Sequence, residues 1–187
     1  MPPKNDIEIF DRNLQRMHLK RAAKKFSDFD FLMRWGERQI LDRLTLVTKK
    51  FESVLVIGNR VSDDFLRNIN AKNITHMADI NIGDTSDDFT RGNLEALSFE
   101  TDSFDLIVIN LELHHVNDLP GCLIQLKSAL KPDGLLVASM FGGETLQALR
   151  QSLMEAELKI KGGISPRGST SSQWSRGSLA AGVGMQR

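Results

Sequence analysis

The chain predicts an α/β fold built on a largely parallel sheet, and three observations carry that expectation. Short runs of Val, Leu and Ile bounded by turn formers recur along it, which is the composition of strands buried on both faces. These runs alternate with segments whose apolar residues return at helical spacing, as the crossovers of parallel strands require. The first run, Ser53-Val-Leu-Val-Ile-Gly-Asn59, ends in a glycine. Ligands in open parallel sheets sit beyond the carboxyl ends of the strands, so Gly58 and Asn59 mark the expected mouth of a site.

Taken in order, residues Ile7 to Lys25 carry Arg12, Arg16, Lys20, Arg21, Lys24 and Lys25 around a thin apolar set of Phe10, Leu14, Met17 and Ala22. Such a helix either contacts an acidic partner or lid, or lies solvated over the domain edge. From Phe29 to Lys50, the residues Met33, Ile40, Leu41, Leu44 and Val47 recur at helical spacing, so one face should pack on the sheet. After the first strand, Ser62 can cap a helix starting at Asp63, with Phe65, Leu66 and Ile69 turned inward. A second strand is expected over Asn73 to Asp79. It ends in an acid about 20 residues after the glycine turn, a spacing at which a carboxylate can accept hydrogen bonds from both hydroxyls of a ribose.

The stretch from Gly83 to Asp88 reads as a loop and a short third strand as lying near Asp88 to Arg91. Phe104 to Asn110 is the next clear strand, after the polar turn Glu100-Thr-Asp-Ser103. Leu119, Leu123, Leu126 and Leu130 mark a helix with Pro120 in its first turn, where a missing N–H costs nothing. Lys131-Pro-Asp-Gly134 then turns the chain into a fifth strand, Leu135 to Phe141. A last amphipathic helix is expected from Thr145 to Leu158. From Gly162 the composition shifts to Gly, Ser and Arg without periodicity, which reads as a disordered tail. The boundaries expected are a helical extension over 1–50, the α/β domain over 51–161 and the tail over 162–187.

Length and composition narrow the function classes. At 187 residues and 41% hydrophobic content, one domain with an ordinary core is affordable. Twenty-four basic and 24 acidic side chains cancel, which argues against nucleic acid or an anionic membrane as partner. No apolar run approaches the roughly 18 to 20 residues of a spanning helix. The single cysteine, Cys122, permits no internal disulfide and gives no metal-ligand spacing; it falls on the apolar face of its helix and reads as core. A cytoplasmic location fits. The adjacent pair His114-His115 points to different faces and lacks a third ligand, so no metal site is expected.

Phe104-Asp105, Leu130-Lys-Pro-Asp-Gly134 and the alternating strands resemble the class I S-adenosylmethionine-dependent methyltransferases, in particular their type-11 branch. A closer resemblance, to the methyltransferase-like complex I assembly factors and their bacterial relatives, rests on Ile9-Phe-Asp-Arg-Asn13, Arg21-Ala-Ala23, Leu113-His114, Val116-Asn-Asp-Leu-Pro120 and Met140-Phe-Gly-Gly-Glu-Thr-Leu146. It covers about residues 7 to 167 and implies a Rossmann-like sheet with N-terminal helices, S-adenosylmethionine as cofactor and a methyl acceptor that the sequence does not identify. A respiratory complex subunit is one acceptor or partner so implied.

The resemblance places the cofactor at Gly58, Asn59, Asp79, Ile80, Gly92, Asn93, Leu94, Asn110 and Leu111, and lines the acceptor pocket with His114. Asp79 corresponds to the ribose-binding acid, Asn93 to an acid near the adenine amino group and Leu94 to a residue packed on the ring; Asn110 and Leu111 lie under the reactive methyl. Each also has an ordinary structural reading, as loop acid, turn residue or strand-end cap.

The chain departs from the family in two places. The acid-x-Gly-x-Gly-x-Gly loop is reduced to Gly58, with Val56 in place of the acid and Arg60 and Ser62 in place of later glycines, substitutions expected to weaken cofactor binding. Beyond Arg167 the family's last helix and strands are not recognisable, as in a truncated or frameshifted product, which would leave the fifth strand an exposed edge. Three functions follow: a methyltransferase, a non-methylating assembly factor or arginine-hydroxylase-like protein, and a chain inactive by itself.

Overall fold

The computed structural model describes residues 9–79, 89–142 and 145–163. Two compact units divide the chain, one running to Met140 and the other beginning at Phe141. In the first, helices α1 (Arg12–Ala23) and α2 (Phe31–Leu44) precede strand β1 (Phe51–Ile57). Helix α3 (Asp63–Asn68), strands β2 (Ala71–Ala78), β3 (Thr90–Arg91) and β4 (Phe104–Asn110), helix α4 (Leu119–Ala129) and strand β5 (Leu130–Ser139) follow.

Among the described residues the sheet has five strands in the order β3-β2-β1-β4-β5, every neighbouring pair parallel. Strand order therefore reverses at β1, between β2 and β4, and the crevice expected for a ligand opens at the end of β1. Leu55 and Ile57 alternate with Val54 and Val56 across the sheet. The first pair joins Ile107, Ile109, Cys122 and Leu126 on one face, and the second joins Ile40, Phe65, Leu106 and Val108 on the other. All of these are buried, which explains the unbroken apolar runs: both faces are covered, and each such side chain contributes about 1.5–3 kcal/mol on leaving water.

The helix starts follow from local chemistry. Asp11 accepts from the N–H groups of Asn13 and Leu14, Ser62 from that of Phe65 and Asp118 from that of Gly121, so each satisfies donors that a first turn leaves open.

Elements begin and end within a few residues of expectation except in two places. The second helix stops at Leu44 and leaves Leu46 exposed. Strand β5 begins at Leu130, paired with Phe104, and carries Lys131 to Gly134 as an irregularity between Phe104 and Leu106 of its partner. Asp133 takes a φ of 60° there, so the turn is a bulge inside the strand. The bulge brings two distant motifs together: the Asp105 carboxylate accepts from the N–H groups of Glu52 (3.2 Å) and Ser53 (3.0 Å) and from Lys131 Nζ (3.1 Å). Burial pushes the Asp105 carboxyl up, but these donors outweigh it and hold it below the usual range.

The second unit contains α5 (Gln147–Lys161), which Gly162 terminates at a φ of 66° with its N–H bonded to the Leu158 carbonyl. A glycine suits that left-handed position. The expected tail lies outside the described residues from 164 onward.

Candidate functional site

A cleft opens where the sheet order reverses, lined by Ile57, Gly58 and Asn59 beyond β1, Met77 to Asp79 at the end of β2, Gly92 to Glu95 after β3, and Glu112, His115 and Val116 after β4. Gly58 makes the first turn possible: a Cβ there would stand 3.0 Å from Val61 Cγ2. Its carbonyl faces the buried His76 at 2.9 Å from Nε2. Burial lowers the pKa of His76, and because a carbonyl only accepts, the ring nitrogen facing it carries the hydrogen. Asn59 then bridges the tips of β1 and β2, its side-chain oxygen accepting from the Asp79 N–H at 3.0 Å.

The Asp79 carboxylate receives both prongs of Arg16, Nε at 2.6 Å and Nη2 at 2.8 Å. Arg12, one helical turn earlier, pairs with Glu95. Helix α1 thus lays two arginines of one face across the cleft, and the hydrogen bond and charge of Asp79 raise the Arg16 pKa. Asn117 secures the approach to the helix: its Oδ1 accepts from the N–H groups of Ile9 and Phe10 at 2.8 and 2.7 Å. The Ile9-Phe10 and Val116-Asn117 motifs are therefore two sides of one contact.

Two buried acids give the glycine turn its shape, and the sequence reading assigned neither. Glu112 accepts from the N–H of Asn59 (3.0 Å), from Asn59 Nδ2 (3.2 Å) and from Arg60 (3.3 Å). Glu37 on α2 accepts from the N–H of Ser62 at 2.9 Å and its hydroxyl at 2.7 Å. Burial raises the Glu37 pKa against those two bonds. Both acids had a signal, since Glu112 interrupts the apolar run Leu111 to Leu113 and Glu37 falls one turn before Ile40 on the inward face of its helix.

Gly58, Asn59, Asp79, Gly92, Asn93 and Leu94 line the cleft together. Asn93 also builds its own turn, its side chain accepting from the Glu95 N–H and its carbonyl from that of Ala96, both at 3.0 Å. Asn110 and Leu111 are not lining residues. The Asn110 amide donates to the Met33 carbonyl at 3.0 Å and its oxygen accepts from the Ser139 hydroxyl at 2.6 Å, so it ties α2 and β5 to the end of β4. Leu111 is buried at a φ of 53°.

His114 is also absent from the lining, and His115 stands there instead. The tight turn of Leu113–His115 points successive side chains in different directions. Burial, together with the charges of His115 and Arg60, lowers the His114 pKa to about 3. Ile80 lies outside the described residues.

A family described as a methyltransferase domain matches residues 46–138, the segment that supplies nearly all of this sheet and the strand-end wall of the cleft. Those residues, just under half of the chain, are similar to a methyltransferase domain. Among curated relatives, "Arginine-hydroxylase NDUFAF5, mitochondrial" of Mus musculus is 37% identical over 173 residues, covering 86% of this chain and 50% of that protein. The chain spans about half the length of the curated relatives it matches.

Solved structures share the fold. A methyltransferase of Thermotoga maritima, described as a possible histamine N-methyltransferase, superposes with a TM-score of 0.53 at 16% identity, over 84% of this chain and 76% of that one. The N-methyltransferase NodS of Bradyrhizobium japonicum, solved with S-adenosyl-L-homocysteine, also gives 0.53, at 18% identity over 71% and 76% of the two chains.

Proposed function

We propose that the cleft is the nucleoside-cofactor site of an S-adenosylmethionine-dependent methyltransferase. The single observation that carries this reading is the position of Asp79. Its carboxylate stands at the tip of β2, its N–H is fixed by Asn59 beyond the glycine turn, and the cleft beside it is walled by Ile57, Met77, Gly92 and Leu94. A ribose diol suits the carboxylate and an adenine suits the apolar wall, so the nucleoside half of the cofactor fits.

S-adenosylmethionine supplies an activated sulfonium methyl when bound. The chain's part is to bind and orient. Asp79 accepts the hydroxyls and shares its lone pairs with Arg16, while α1 covers the cleft and limits water. Rate enhancement in such a site rests mainly on alignment, so it needs no acid–base triad.

Titration calorimetry with S-adenosylmethionine and S-adenosylhomocysteine tests the reading directly. Saturable heat with a rise in unfolding temperature is expected; the absence of both at millimolar ligand overturns it.

A second reading draws on the name of the mammalian relatives, arginine-hydroxylase, and on the loss of all but one glycine from the loop. Here the chain acts on a respiratory complex subunit without methylating it. Mass spectrometry of a candidate arginine-containing subunit peptide after incubation with S-adenosylmethionine, dioxygen and a two-electron reductant separates the two, since a methylated and a hydroxylated product differ in mass.

A further inference from the structure

Helix α1 lies over the cleft without being packed into the fold. None of its 12 residues is buried, and its apolar Leu14 and Met17 are exposed. The stripe that meets the cleft is Arg12, Gln15, Arg16 and Leu19, the spacing that a helix turns to one side. Helices in folded proteins are held chiefly by the apolar face they bury, and this one buries almost none. Polar ties hold it instead: Asn117 at its approach, Arg12 on Glu95 and Arg16 on Asp79.

The last of these ties has a shape that bears on the ligand. Arg16 Nε and Nη2 each take one oxygen of the Asp79 carboxylate, at 2.6 and 2.8 Å, the match of a planar guanidinium fork to a carboxylate. A ribose diol likewise presents two neighbouring donors, and it reaches both oxygens from the same outer edge of the carboxylate. The guanidinium therefore stands where the diol would be gripped. Its side chain is 47% exposed, so it can withdraw into water without stranding a buried charge, and the incoming hydroxyls answer the carboxylate it leaves.

We propose that Arg16 is an internal competitor for the diol-binding carboxylate, an autoinhibitory contact through which α1 restrains nucleoside binding. As the diol engages Asp79, the hold on the far half of the helix, Arg16 to Ala23, loosens, while Asn117 and Arg12 keep the near half in place. A nucleoside without the diol binds with the Arg16–Asp79 pair intact. This rests on the nucleoside reading of the cleft and adds its regulation.

The test titrates adenosine and 2′,3′-dideoxyadenosine by calorimetry into the unaltered chain and Arg16→Gln. The variant is expected to bind adenosine about two- to fivefold tighter, the range that a partly exposed ion pair can withhold, and to bind the dideoxy compound as the unaltered chain does. Adenosine binding that is unchanged or weakened in the variant overturns the proposal and leaves the nucleoside site standing. So does an equal gain for both ligands, since the helix would then obstruct entry without competing for Asp79. Adenosine binding by neither chain overturns both readings.

A second measurement needs no substitution. Amide hydrogen exchange over residues 16–23 of the unaltered chain is compared between its saturated adenosine and dideoxyadenosine complexes, which differ only in the diol. Faster exchange in the adenosine complex is expected, because the far half of α1 has lost its tie. Equal rates overturn the proposal.

Discussion

Removing the carboxylate of residue 79 isolates the grip on the sugar. Asp79→Ala deletes two acceptor oxygens and leaves the N–H that Asn59 holds at 3.0 Å untouched, so the strand tip keeps its anchor. Two hydrogen bonds from hydroxyls to a charged acceptor contribute about 1.5–3 kcal/mol each. The Asp79 side chain is 31% exposed and already bound by Arg16, and competition from water and the guanidinium reduces the sum by roughly half. The expected loss is about 1.5–3 kcal/mol, or roughly 10- to 150-fold in Kd.

The assay is a cycle: adenosine and 2′,3′-dideoxyadenosine titrated against the unaltered chain and Asp79→Ala. If Asp79 holds the diol, the variant weakens adenosine and leaves the dideoxy compound almost unaffected. Equal weakening of both, or of neither, refutes the assignment, since the carboxylate would then act on the pocket's shape or on nothing.

Other outcomes follow from groups around the cleft. Because burial raises the Glu37 pKa in the fold, the stability linked to its proton is fully present below the unfolded value and is lost as pH rises through the folded one; denaturant unfolding should show Glu37→Gln gaining on the parent chain across that window. A Cβ on Gly36 would meet Asn110 Oδ1 at 2.4 Å, so Gly36→Ala should cost about 1–3 kcal/mol in the same measurement by forcing α2 from the end of β4. Cys122 is fully buried, and its thiol is pushed up to about 12 by burial and by Glu95 and Asp118; alkylation near neutral pH should be slow in the native chain and fast in denaturant.

The fold was legible because its strands are covered on both faces: Val54 to Ile57 and Leu106 to Ile109 are continuous apolar runs with turn formers beside them. The spacing from Gly58 to Asp79 was legible for the same reason, since one crossover connects adjacent strands. What escaped depends on contacts between segments far apart in the chain. The fifth strand was placed too late because Lys131-Pro-Asp-Gly134 carries every local mark of a turn, while the pairing of Leu130 with Phe104 that makes it a bulge is a tertiary contact.

Asn110 sits at the strand tip as expected, but its amide is claimed by Met33, 77 positions earlier. Nothing in its neighbourhood in sequence announces that. Glu37 and Glu112 went unassigned for a related reason: a carboxylate's value here lies in which backbone N–H it answers, and those belong to Ser62 and Asn59.

Arg12 and Arg16 fasten their helix to Glu95 and Asp79, and both links are partly open to solvent. Dissolved salt competes for contacts of this kind, over a screening distance of about 10 Å at 0.1 M. Admission of a nucleoside should then become a matter of ionic strength: added electrolyte loosens the two fastenings and quickens exchange, even where the equilibrium affinity hardly moves.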